Sequence, residues 1–196
     1  MIRSLMMLAL LALAWSPAAA QGIPFSQRGE VRQRVAYTDI VVTYNRPTAR
    51  GRVLYGDSGI VKWERIWHPG ADSATRIQFS APVELEGKPL AAGTYSLWTI
   101  PRASGAWTVI VNARPDVFHT PYPGEATDVL RVDVTPERGA HMEALAYYFP
   151  VVARDSTVMR LHWGETVIPM RIRVRTDKAS STGSTGSTGP GSFETP

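Results

Sequence analysis

The chain has 196 residues, no cysteine and a formal net charge of +4. The missing cysteines exclude a disulfide framework, a thiolate nucleophile and a thiolate metal site. A charge this mild does not call for a nucleic-acid partner.

The N-terminus has the pattern of a cleavable leader. Arg3 supplies a positive start, Leu5 to Trp15 is an uncharged apolar run, and Pro17 breaks it. Ala18-Ala19-Ala20 then offers the small residues that signal peptidase needs, which predicts cleavage before Gln21. The apolar run is shorter than the roughly 20 residues that span a bilayer. The expectation is an exported product, in the periplasm or outside the cell, with no membrane insertion after residues 1–20 are removed. Residues 21–34 are polar and read as a loosely held lead-in.

Residues 35–176 carry the domain, and their period is two rather than 3.6. Ile40 to Tyr44 is β-branched and aromatic. Thr75, Ile77 and Phe79 alternate with polar neighbours, and so do Val83 and Leu85. Thr94 to Ile100 and Trp107 to Val111 are further strands. Leu130, Val132 and Val134 alternate with Arg131 and Asp133. Met159, Leu161 and Trp163 oppose Arg160 and His162, which puts His162 on a solvated face. Ile168, Met170, Ile172 and Val174 oppose the stripe of Arg171, Arg173 and Arg175. Only His141 to Tyr148 is ambiguous between helix and strand. Short strands separated by Gly, Pro and Asp turns predict an all-β antiparallel sandwich, with a small barrel as the alternative. Residues 177–196 repeat Ser-Thr-Gly and cannot bury apolar area, which predicts a disordered tail.

Several segments together resemble a known family. They are Tyr44-Asn45-Arg46-Pro47, Gly51-Arg52, Trp67-His68-Pro69-Gly70-Ala71-Asp72 with Thr75 after it, the run Ala92 to Pro101, and Trp107 to Asn112. Asp128 to Val132 and Leu161-His162-Trp163 extend the likeness over most of residues 27–172. The chain resembles the exported family called domain of unknown function 2911. The resemblance implies a secreted β-rich domain and carries no activity with it. His68 stands where that family usually has Arg, and Asp72 where it often has Asn. The stretch from Gly56 to Trp67 is about two residues longer than usual, in a place where loops vary. A Trp-Gly pair common in the family after the asparagine is missing after Asn112.

No motif in the chain completes a catalytic set. Gly56-Asp57-Ser58-Gly59 is like the segment around a protease serine, but no histidine precedes it, and Asp-Ser-Gly is ordinary turn chemistry. His68, His119, His141 and His162 form no local metal motif. His68 and Asp72 could give an ion one nitrogen and one carboxylate, too few for a site, so no metal and no cofactor are expected. A glycosidase pair would need Asp72 to face Glu64 or Asp128.

The candidate ligand-binding residues are Arg46, Arg52, Trp67, His68, Asp72 and Trp98. Arg46 and Arg52 flank a tight turn, where a guanidinium clamps a ligand carboxylate or pairs with an internal acid such as Asp72. Trp98 shares a strand face with Thr94 and Ser96. It either stacks on a sugar from an open face or is buried under another segment. The leading expectation is an exported binder of a small molecule, a glycan or an envelope partner. The alternatives are a hydrolase with a dispersed site near His68, Asp72 and Arg52, and a purely structural envelope module.

Overall fold

A computed structural model describes residues 23–177. The leader over 1–20 and the tail beyond Asp177 lie outside the described residues. Ten strands follow in chain order: β1 (Gln27–Val35), β2 (Thr38–Arg46), β3 (Arg76–Phe79), β4 (Val83–Leu85) and β5 (Lys88–Leu90), then β6 (Gly93–Ile100), β7 (Trp107–Asn112), β8 (Asp128–Val134), β9 (Glu137–Val152) and β10 (Ser156–Val174). The one helical piece among the described residues is a 3-10 turn, Glu125–Thr127.

The strands form two antiparallel sheets. One has six strands in the order β1-β2-β3-β6-β7-β8, and the other has four in the order β5-β4-β10-β9. Neither closes on itself, so the fold is the sandwich and not the barrel. The alternation read from the sequence fixes the inner faces. Ile40, Val42, Ile77, Phe79, Leu97 and Val109 from the larger sheet meet Leu145, Met159, Leu161, Ile168 and Met170 from the smaller one in one core. Removing this area from water, at about 25 cal/mol per Å², holds the sheets together.

Three expectations change in detail. The lead-in over 21–34 is in part a strand, because β1 pairs with β2 along its whole length from Gln27. The ambiguous stretch His141 to Tyr148 is strand and belongs to β9. The two late runs are one strand of 19 residues, β10. It passes through Gly164 at φ +59, with register shifts against β9 on either side. Such bulges bend a strand without ending it.

The larger sheet is also covered on part of its outer face, around Trp98 and Ile110. Residues between β7 and β8 fold back over it, and Tyr122 with Val117 covers a second apolar cluster of Ala74, Trp98 and Ile110. Asn112 pins this cover. Its Nδ2 donates to Asp128 Oδ1 and Thr127 Oγ1, each at 2.8 Å, and its Oδ1 accepts from Arg114 N at 3.0 Å. Asp128 also accepts from Tyr122 OH, and from Arg131 Nε at 2.7 Å. Asn112 is fully buried, so removing its amide deletes the bonds that hold Thr127, Asp128 and Arg114 to β7 and leaves a cavity beneath the cover.

Asn112→Ala is therefore expected to cost about 2–4 kcal/mol in urea unfolding. It should also speed amide exchange across residues 113–127 ahead of the core strands. Val151→Ala, at a position 56% exposed, should stay within about 0.5 kcal/mol of the parent.

Candidate functional site

The site lies at one end of the sandwich, where the chain leaves β2. From Pro47 to Ala49 it runs along the free edge of β9. Leu145 N donates to Pro47 O at 2.9 Å and Ala49 N to Glu143 O at 2.8 Å. Arg46 strengthens this crossing, since its Nε donates to Leu145 O at 3.1 Å. Its stem packs on Gly29, where a Cβ would come within 2.9 Å of Arg46 Cδ. Arg46 ties strands together and stands outside the cleft described below.

The chain then turns through Arg50 and Gly51, at φ +52 and +68. Arg52 closes the turn: its N and Nε donate to Ala49 O at 3.1 and 3.0 Å, and its Nη2 to Thr48 O at 2.6 Å. The expected pairing of Arg52 with Asp72 does not occur. Asp72 accepts from Asn45 Nδ2 at 3.0 Å instead. Arg50 and Arg52 form no ion pair among the described residues. The Arg50 guanidinium lies 5.0 Å over the Phe25 ring. The Glu143 carboxyl is held below its ordinary value by a bond from the Arg50 backbone N–H, then by His141, with a smaller pull from Arg52.

Facing this turn, Trp67 is tied to β6 by reciprocal 2.8 Å bonds with Thr99. Its indole stacks on Trp163 with centroids 6.0 Å apart. Tyr55 packs edge-on against both, and also contacts Trp63 and Trp107. This aromatic plug spans three distant segments. Alternation alone could not assemble it, although the tryptophan-rich composition is its signal in the sequence.

His68 follows Trp67 and turns inward, to 4% exposure. Thr75 N donates to its Nε2 at 2.5 Å, and Thr75 Oγ1 donates to Pro69 O at 2.9 Å. An Nε2 that accepts leaves the ring proton on Nδ1. Nδ1 is buried and has no partner among the described residues. Gly70 lets the loop lie this close, since a Cβ there would come within 2.8 Å of His68 Cε1 and 2.6 Å of Thr75 Oγ1. Burial, with a smaller push from His119, lowers the His68 pKa from 6.5 to about 3. His68 is thus neutral at physiological pH.

Asp72 stands in the left-handed region at φ +58. Its carbonyl accepts from His119 N at 2.8 Å and from His119 Nδ1 at 2.9 Å. This clamp holds the His119 ring parallel to His68, with centroids 6.3 Å apart.

Together these segments enclose an open cleft of about 510 Å³. Arg52, Trp67, His68 and Asp72 line it, as the sequence reading grouped them. Arg50, His119, Ile60 and Ile66 also line it and were not among the candidates. Trp98 does not line it. It is 1% exposed, beneath Tyr122 at 5.2 Å and His68 at 5.6 Å, with Nε1 donating to Ser96 Oγ at 2.9 Å. Trp98 therefore supports His68 from below and offers no stacking surface.

The other chemical candidates resolve into structural roles. Gly59 N donates to Gly56 O at 2.9 Å, so Gly56 to Gly59 is a turn. Glu64 pairs with Arg102 at 3.6 Å and Asp128 with Arg131, so neither is given over to Asp72 as a facing partner. His162 is buried rather than solvated: its Nε2 meets Ala140 O at 2.9 Å and its Nδ1 meets Tyr148 OH at 3.1 Å. Gly139 makes the room, since a Cβ there would come within 3.1 Å of the ring. Among the described residues no group of three or more His, Asp or Glu could hold a metal ion.

The buried His68 links the cleft to pH. Its folded pKa lies below its unfolded one, so the unfolded state binds the extra proton and acid favours unfolding. Its contribution is intact above about pH 6.5 and is lost as pH falls toward about 3. Urea unfolding should show a loss of about 2–3 kcal/mol between pH 7 and pH 4 from this group. His68→Gln, whose Oε1 can reach the Nε2 position to accept from Thr75 N–H and which cannot titrate, should flatten that slope.

A family model described as Protein of unknown function (DUF2911) matches residues 26–172, which include the whole cleft and both sheets up to the last two residues of β10. No curated protein and no solved structure matches the chain. The match spans well over half of the sequence, and the chain belongs to this family of proteins of unknown function.

Proposed function

We propose that this domain is an exported binding module whose site is the cleft between the Pro47–Arg52 turn and the Trp67–Asp72 loop. Its ligand is a small molecule, a short glycan or a group of that size on an envelope partner. The observation that carries this reading is the convergence of Arg52, Trp67, His68 and Asp72 on one concavity. Its volume of about 510 Å³ falls within the range of small-molecule sites, about 300–1,000 Å³. Aromatic and aliphatic walls beside a few fixed polar groups match the composition of such sites. The leader pattern over residues 1–20 supports a ligand met outside the cytoplasm.

A hydrolytic reading of the same cleft finds no support in His68. A general base works best with a pKa near the operating pH. The His68 ring is lowered to about 3 and spends its acceptor nitrogen on Thr75 N–H.

A thermal-shift screen of the chain from Gln21 onward, with small organic molecules and glycans, tests the reading. A ligand at a hundredfold excess over its Kd should stabilise the fold by about 2.7 kcal/mol. Ile66→Trp, at a position 37% exposed on the cleft wall, should fold normally and weaken that ligand about tenfold or more by filling its space. A binder indifferent to Ile66→Trp sits elsewhere and defeats the assignment. Expression with the native leader should yield an exported product that begins at Gln21. A product that keeps Met1 in the cytoplasm would overturn the export half of the proposal.

A further inference from the structure

The polar groups of the cleft are unevenly matched. Arg50 spends only its backbone N–H, on Glu143 Oε1 at 2.7 Å, and its guanidinium makes no hydrogen bond among the described residues. Arg52 spends Nε and Nη2 on main-chain carbonyls, which are neutral, and forms no ion pair among the described residues, although its charge acts on Glu143. A guanidinium has further N–H groups to give. The His68 Nδ1–H is fully buried, without an acceptor among the described residues, and lies beneath the cleft surface out of a ligand's reach. Against the two guanidinium groups the cleft sets one carboxylate, Asp72, which already accepts from Asn45 Nδ2. The walls between are Ile60, Ile66 and the indole of Trp67.

Resting on the reading of the cleft as a binding site, we propose that its ligand is a small organic carboxylate with an apolar body. The carboxylate lies against Arg50 and Arg52, and the apolar body lies on Ile66 and Trp67. Two cations without an ion-pair partner among the described residues favour an anion over a neutral sugar. An arginine fork matches a planar carboxylate in two parallel bonds. Apolar walls favour a carbon skeleton over a bare inorganic anion.

The test is NMR titration of the full chain from Gln21 with four probes: 3-phenylpropanoate, its neutral amide, methyl β-glucoside and inorganic phosphate. The acid should shift the amides of residues 50–52 and 66–68. The amide should bind about tenfold more weakly, and added salt should weaken the acid alone. Arg50→Gln should fold like the parent, since that side chain makes no hydrogen bond among the described residues, and should weaken the acid about fivefold or more. Equal binding of amide and acid, or tighter binding of the glucoside in the cleft, removes the carboxylate assignment and leaves the cleft as a site. Phosphate matching the acid removes the organic body. No shift with the acid also defeats the assignment. Shifts confined to Val151, Val158 and Arg171, beside a separate concavity of about 400 Å³ on the smaller sheet, would overturn both readings.

Discussion

The chain leaves β2 at Arg46 and hydrogen-bonds the edge of a strand in the opposite sheet. Two main-chain bonds between residues 47–49 and 143–145, with Arg46 Nε as a third, close this end of the sandwich. The contact does three things at once. It covers an edge that would otherwise present unpaired N–H and C=O groups. It fixes the separation of the sheets beside the aromatic plug. It also aims the Arg50–Arg52 turn at the Trp67–Asp72 loop, so the cleft exists only because the crossing is made.

The plug and the cleft divide the same space. Tyr55, Trp63, Trp107 and Trp163 fill the end of the core, and the partly exposed Trp67 forms a wall of the opening. A rigid aromatic floor holds the polar groups around it with little freedom. Beneath His68 lies Trp98, itself held down by the cover that Asn112 anchors. The cover and the cleft are thus coupled through one packed column: Tyr122, Trp98, His68 and His119.

His68 shows how burial redirects chemistry. The same imidazole on an open loop would titrate near neutrality and could serve as a base. Here a backbone N–H claims Nε2, low polarity suppresses protonation, and the remaining Nδ1–H is packed away without an acceptor among the described residues. Arg52 behaves in a parallel way. Expected to meet Asp72, it meets carbonyls instead, because the turn brings Thr48 O and Ala49 O closer than any carboxylate. Its charge is left for something else to balance.

Strand positions, the inner-face residues and the grouping of Arg52, Trp67, His68 and Asp72 were legible in the sequence. A period of two is a local property that every half-buried strand must display. The leader pattern is local too, and the expectation of export rests on the sequence alone. Other features depended on residues far apart in the chain. Trp98 and His162 lie on faces that alternation marks as outer, yet a folded-back segment covers one and the space left by Gly139 admits the other. Arg46 was drawn into the strand crossing, and Arg50 entered the cleft, because a main-chain path between sheets decides where each side chain arrives. Burial, tautomer and ion pairing are set by what packs against a group, and only the tertiary structure decides that.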